Sequence, residues 1–405
     1  MKDLLKQGSI VILLGTGGVG KTTVAAALGI AGAQANLECA LITVDPSRRL
    51  RDALGMAKLG GSPSRLDKRH LRAAGLDPAL PLSAMMLDVK GVWDGIVERF
   101  STDPAARKRI LENPFYQSLS AEFAGAEAFA ALQQLYDLHQ GGGFALEIVD
   151  TPPAAHAFEF LEAPARFTRL LDSRTARWLF TPSLSAGWLA VKVASNAARF
   201  VMRELERFAG GNVLSTIAEF FAAAAETVDA VVDRLRKTEA LMRSPAVRFV
   251  MVTTAEEDRL RQARDLIGEM KRDKLRLSAI VINRFLDERT WQVAADHPRR
   301  ALAHLAAIER MAAKAGDTPA NQPGITALTS NLAQYRARTL AQIARVAEFA
   351  RELPAEVELS IAPELGVGVP DLRALARVAG YITGGAGILH SLETAAAASK
   401  PIKEE

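Results

Sequence analysis

Short unbroken apolar runs recur along this chain, at Ile10–Leu14, Cys39–Val44, Met85–Val89, Phe144–Val149, Val247–Thr253, Ser278–Ile282 and Val357–Ile361. Runs of this length without a polar alternation predict strands buried on both faces. Between them lie segments of helical spacing: Thr22 to about Gln34, Val92–Phe100, Ala121–His139 with Gly141-Gly142-Gly143 as its stop, much of 285–352 with breaks around Asp317–Gly324, and Asp371–Tyr381. Such alternation predicts an α/β fold, a mainly parallel sheet joined by right-handed crossovers with helices on both faces. The glycine, proline and basic residues of 60–81 read as a mobile connection. Residues 157–242 carry no strand pattern, only helical spacing interrupted at Pro182–Gly187 and Gly210–Asn212, and predict an inserted helical layer. The expected organisation is a core in two parts, 1–156 and 246–394, around a helical subdomain at 157–245, with a flexible polar tail at 395–405. No internal repeat is visible.

Composition narrows the class. A chain of 405 residues with 49% hydrophobic side chains can hold a large core. No stretch reaches the ~20 apolar residues of a membrane helix. The glycine-rich segment after the first strand begins too near Met1 for a cleavable leader, so a soluble, cytoplasmic protein is expected. The one cysteine, Cys39, excludes an intrachain disulfide and any multi-cysteine metal site. A formal charge of +4 and a pI near 9.2 permit contact with anionic surfaces without requiring it.

The chemistry is carried by Gly15-Thr16-Gly17-Gly18-Val19-Gly20-Lys21-Thr22-Thr23, which follows a strand, opens a helix and satisfies G-x-x-x-x-G-K-[ST]. Glycines let successive backbone N–H groups converge on phosphate oxygens, and the helix beginning near Lys21 adds its positive end. Lys21 can reach the terminal phosphates, and the Thr22 hydroxyl can ligate Mg2+. Two acidic residues sit at strand ends that a parallel sheet would bring to the same crevice: Asp45 after Cys39–Val44 and Asp150 after Phe144–Val149. The second is a Walker-B type of signal.

The loop Gly15–Thr23, Asp45-Pro46, Asp150-Thr151-Pro152-Pro153 with His156, and Asn283, in this order over most of the chain, resemble the ArsA family. That family includes the arsenite-pump ATPase and the ATPases that guide tail-anchored membrane proteins, and the phrasing around Asp150–Pro164 is most similar to its bacterial branch. The resemblance implies an ATPase using ATP/ADP and Mg2+, with Lys21, Asp45 and Asp150 as catalytic residues. Asp45 would orient the attacking water and Asp150 would hold Mg2+ through water. Gly17, Gly18, Val19, Gly20, Lys21, Thr22 and Thr23 would bind the phosphates, while Asn283 and the Pro363 loop would contact the adenine. Pro46, Arg48, Arg49, Thr151, Pro152 and His156 would form switch segments sensing the γ-phosphate. It further implies a homodimer, or a heterodimer with a paralogue, acting on a protein client or at a membrane periphery; a nucleic-acid partner is not expected.

Three departures qualify the resemblance. Thr16 stands where the wider group carries a lysine that crosses a dimer interface, and Arg48 and Arg49 are the cations nearest to Asp45 in sequence that could take its place. The cysteine pair that binds zinc in the eukaryotic targeting ATPases is absent, so no zinc is expected. The cysteine cluster that binds arsenite is absent too, which disfavours a metalloid-pump subunit. The apolar side chains of the helical layer, among them Phe160, Phe167, Trp178, Trp188, Phe220 and Phe221, fit either its own core or a client groove. Thr16 also leaves open a low-turnover nucleotide-binding scaffold.

Overall fold

The computed structural model describes residues 4–44, 49–122, 125–151, 213–225, 227–286, 311, 322–366 and 371–384. Its strands are β1 (Ser9–Leu14), β2 (Cys39–Thr43), β3 (Ser64–Arg65), β4 (Leu82–Met86), β5 (Leu146–Asp150), β6 (Val247–Thr254), β7 (Leu277–Asn283) and β8 (Glu358–Ile361). The helices among the described residues are α1 (Lys21–Gln34), α2 (Arg49–Ala53), α3 (Lys68–Ala73), α4 (Val89–Phe100), α5 (Pro104–Glu112), α6 (Pro114–Glu122), α7 (Ala126–Gly141), α8 (Val213–Ala224), α9 (Val228–Met242), α10 (Glu257–Arg272), α11 (Gln322–Glu352) and α12 (Leu372–Gly384).

The strands form one sheet in the order β3-β4-β2-β5-β1-β6-β7-β8. Every pairing is parallel except that of the edge strand β3 with β4. Parallel strands need crossovers, and the helices that supply them cover both faces. Alternation along β1 divides the core: Ile10, Ile12 and Leu14 face a cluster with α4, α7, α9, α10 and α11, while Val11 and Leu13 face one with α1, α2, α3 and α12. Each fully buried aliphatic side chain contributes about 1.5–3 kcal/mol, so the apolar runs are what hold the sheet at the centre. The expected α/β class, a mainly parallel sheet flanked by helices, is the one observed.

Local chemistry moves some boundaries. The strand expected at Met85–Val89 lies at Leu82–Met86, because Asp88 accepts from the Gly91 amide at 2.9 Å and starts α4 at Val89. Residues 60–81, expected as a mobile connection, hold β3 and α3, the latter capped by Asp67 accepting from the Arg69 amide at 2.7 Å. Helices α5 and α6 add to the elements expected from the pattern. Asp103 before Pro104 accepts from the Ala105 and Ala106 amides, and Asn113 before Pro114 from that of Phe115, an N-cap followed by proline at the first helical position.

Of the segment expected to form an inserted helical layer, residues 213–225 and 227–245 are described. There α8 packs on α5 and α6, and α9 on α4 and α7. Phe220 and Phe221 meet Phe115 at ring-centroid distances of 5.2 and 6.1 Å. The join is also polar: Arg234 of α9, buried, donates from Nε to Gln133 Oε1 of α7 and pairs with Asp137 at 2.7 Å. Phe160, Phe167, Trp178 and Trp188 lie outside the described residues.

Candidate functional site

The glycine-rich loop leaves the carboxyl end of β1, between β5 and β6, and enters α1. Two glycines are required by geometry. Gly15 has φ +152°, and a Cβ there would stand 2.3 Å from the Val252 carbonyl oxygen of β6. Gly20 has φ +91°, and a Cβ there would stand 2.3 Å from Asn283 Nδ2. Gly17 and Gly18 form the exposed tip, whereas Val19 is buried and anchors the loop. Gly20 caps α1 without a side-chain acceptor, and the first turn carries no acidic residue. The positive end of this helix is therefore not neutralised by a carboxylate of its own, the condition an anion site needs.

Lys21 is buried and donates from Nζ to the carbonyls of Gly15, at 2.8 Å, and Thr16, at 3.3 Å. Its ammonium thus lies across the mouth of the loop. Thr22 and Thr23, one step along α1, are half-buried.

Asp150, at the carboxyl end of β5 and 1% exposed, is brought to the loop by strand order. Its Oδ2 accepts from the Thr22 hydroxyl at 2.7 Å and from the Thr43 hydroxyl at 3.1 Å. Thr151 turns its hydroxyl back to the Leu13 carbonyl of β1 and is itself buried. The Val44 amide donates to the Asp150 carbonyl at 3.1 Å, so the chain enters the Asp45 segment tied to β5.

Asn283 ends β7 and is buried; its Nδ2 donates to the Val19 carbonyl at 2.8 Å. Expected at the adenine, this side chain also ties the end of β7 to the glycine-rich loop. Pro363 is buried beyond β8, in a segment whose backbone continues alongside Phe285 and Leu286 through Phe285 N to Ala362 O at 2.9 Å and Glu364 N to Leu286 O at 2.7 Å. Arg284 and Leu286 take φ of +54° and +60°, a conformation non-glycine residues adopt at a cost, next to the strand end that carries Asn283.

Of the switch residues, Thr151, placed above, and Arg49, exposed at the start of α2, are described. Asp45, Pro46, Arg48, Pro152 and His156 lie outside the described residues. Thr43 was missed by sequence reasoning. The signal available was a hydroxyl at the last position of an apolar strand, but only the pairing of β2 with β5, which puts Thr43 in register with Asp150, gives it meaning.

The donors converging beside the loop are oxygens, the Thr22 hydroxyl and the Asp150 carboxylate. Such a pair fits Mg2+, a hard cation that takes its remaining ligands from phosphate and water. Among the described residues no group of three or more His, Cys, Asp or Glu side chains could hold a metal. Cys39 is buried in β2, and burial pushes its thiol up to about 12, away from the thiolate a soft ligand would need.

The family model for the anion-transporting ATPases, ArsA, matches residues 9–313. A putative arsenical pump-driving ATPase of Halobacterium salinarum is 28% identical over 172 residues, 42% of this chain and 26% of that protein. ATPase get3 of Aspergillus terreus is 24% identical over 292 residues, 71% of this chain and 76% of its own. ATPase GET3 of Malassezia globosa matches at 25% over 173 residues, so the chain spans 26% and 47% of the lengths of the Halobacterium and Malassezia relatives.

Proposed function

The chain belongs to the ArsA family of anion-transporting ATPases, and from that premise we propose that it binds ATP with Mg2+, hydrolyses it, and uses the nucleotide cycle to drive a client-handling movement of a dimer and its helical layer. The observation that carries this reading is the convergence of Lys21, the Thr22 hydroxyl and the Asp150 carboxylate at the amino end of α1. Phosphoryl transfer to water asks a protein mainly for positioning and for positive charge near the transferred group. The loop amides and α1 would grip the phosphates, Lys21 would exchange its two loop carbonyls for phosphate oxygens, and Thr22 with Asp150 would hold the cation side. Mg2+, when bound, supplies charge neutralisation across the terminal phosphates. Asp45, on the segment leaving β2, would orient the attacking water, and Asn283 with Pro363 would border the base.

Phosphate release by the purified chain tests the proposal, with Lys21→Ala as the control. Magnesium-dependent turnover lost in the variant is the expected result. No turnover and no ATP or ADP binding by calorimetry would overturn it. Nucleotide binding without turnover would instead favour a scaffold, the reading that Thr16 supports by supplying no cation at the second loop position. The name of the Halobacterium relative speaks of an arsenical pump. Here a single cysteine, enclosed in β2, gives arsenite no thiol cluster, so a protein or membrane-associated client is the better fit. Among the described residues no helix is long and apolar enough to cross a membrane.

A further inference from the structure

We propose that Thr43 is a positioning residue for the metal side of this site, acting through Asp150. Two hydroxyls donate to the same oxygen, Asp150 Oδ2: Thr22 at 2.7 Å and Thr43 at 3.1 Å. They come from different elements. Thr22 rides on α1 directly after the phosphate loop, whereas Thr43 is the last residue of β2 and is 1% exposed within the sheet. Its place is fixed by the ladder: Thr43 is in register with Asp150, its carbonyl accepts from the Leu87 amide at 2.9 Å, and the next amide, Val44, donates to the Asp150 carbonyl at 3.1 Å.

A carboxylate at a strand end can swing about its side-chain torsions, and each donor it accepts from narrows that freedom. Two donors from different directions on one oxygen set the plane of the group. The Thr22 bond depends on how the loop grips its anion. The Thr43 bond does not, because β2 is held by its own ladder and not by the loop. Thr43 therefore keeps Oδ2 aimed at the Thr22 side whether or not nucleotide is present, so the cation meets a prepared acceptor. Partners of this kind, one step removed from a metal, typically change its affinity about 10- to 100-fold when lost. The role rests on the proposed nucleotide-binding function, which the same experiment tests separately.

The experiment is a calorimetric titration of ADP into the full chain at a series of magnesium concentrations and in EDTA, for the wild type, Thr43→Val, Thr43→Ala and Thr43→Ser. Valine keeps the shape and removes the hydroxyl. The expected result is about a tenfold rise in the magnesium concentration that half-saturates the gain in ADP affinity for Thr43→Val and Thr43→Ala. ADP affinity in EDTA should stay within about twofold of wild type, and Thr43→Ser should restore the magnesium response, through the hydroxyl it retains. An unchanged magnesium response in the valine and alanine variants overturns the proposal. So does an equal loss of ADP affinity with and without magnesium, which would mark a general structural role. Failure of both variants to fold overturns it as well, by making the hydroxyl a folding requirement. A wild-type chain that binds no ADP under any condition overturns the nucleotide-binding function itself, and this role with it.

Discussion

Asn283 Nδ2 donates to the carbonyl of Val19 at 2.8 Å, closing a link between the end of β7 and the phosphate loop across 264 residues of sequence. The same nitrogen is what a side chain at position 20 would strike. Both residues are therefore predicted to act on one object, the shape of the loop. Asn283→Ala removes the donor, leaves the carbonyl of a buried residue without it, and should lower stability by about 1–3 kcal/mol. Gly20→Ala adds the clash to a φ that alanine disfavours and should weaken ADP binding more than Asn283→Ala does. The double variant relieves the clash, so its loss of ADP affinity, measured by calorimetry, should be less than the sum of the two single losses. Additive losses would show that the two positions do not share this contact.

A second prediction separates two arginines that pair with one carboxylate. Arg234 and Arg99 both contact Asp137 at 2.7 Å, but the side chain of Arg99 is 52% exposed and that of Arg234 is 8% exposed. Arg234 also donates to the Gln133 side chain and carbonyl, and its guanidinium lies 5.0 Å from the Tyr136 ring centre. Removing Arg234 takes a charged donor from the buried Gln133 at a cost of about 1–3 kcal/mol, although Asp137 keeps Arg99, whereas an exposed pair contributes about 0–1 kcal/mol. Denaturant unfolding should therefore show Arg234→Ala destabilised and Arg99→Ala close to wild type. Since α9 is held to α7 by this residue, protease cleavage should begin near α9 in the first variant only. Equal losses in the two would refute the ranking.

What the sequence disclosed, and what it hid, follows from how far each signal reaches. Strands buried on both faces announce themselves as unbroken apolar runs, and Gly15–Thr23 announces itself because its spacing matches a pattern that the grip on a phosphate dictates. Asp150 was legible because an acid after such a run is out of place in a core. Thr43 was not, since a threonine suits any strand and acquires its partner only when β2 lies beside β5. Asn283 was visible as a residue after a strand, yet its contact with Val19 depends on the return of the chain 264 positions later. The displaced start of β4 shows the local limit: Leu82–Met86 and the helix from Val89 are separated by Leu87 and Asp88 alone, and the divide is set by the hydrogen bond from the Gly91 amide to Asp88. The caps Asp103 and Asn113 were readable as Asp-Pro and Asn-Pro pairs, but the helices behind them are short.

The last prediction concerns acid–base behaviour near the amino end of β5, away from the loop. Glu147, in register with Ile10 and Ala40, is 2% exposed, and burial pushes its carboxyl up from an ordinary 4.5 to about 8. His139 at the end of α7 offers Nδ1 at 3.1 Å from Oε2, while Oε1 has no hydrogen-bond partner among the described residues. The sign follows from proton counting. Between these two values the unfolded chain has released the proton and the folded chain retains it, so the folded state binds more protons and loses stability as pH rises. The contribution is fully present below about 4.5 and is gone once pH passes about 8. Glu147→Gln keeps the volume and abolishes the ionisation. Its unfolding free energy should therefore be flatter between about pH 5 and 8 than that of wild type, with the variant the more stable by roughly a few kcal/mol at the upper end, of the size that a raised carboxyl implies. ADP affinity should be unchanged, because Asp150 and the loop stand at the other end of β5. Parallel stability curves for the two proteins would mean that the Glu147 carboxyl ionises in the folded state as it does in the unfolded chain, and would overturn the prediction.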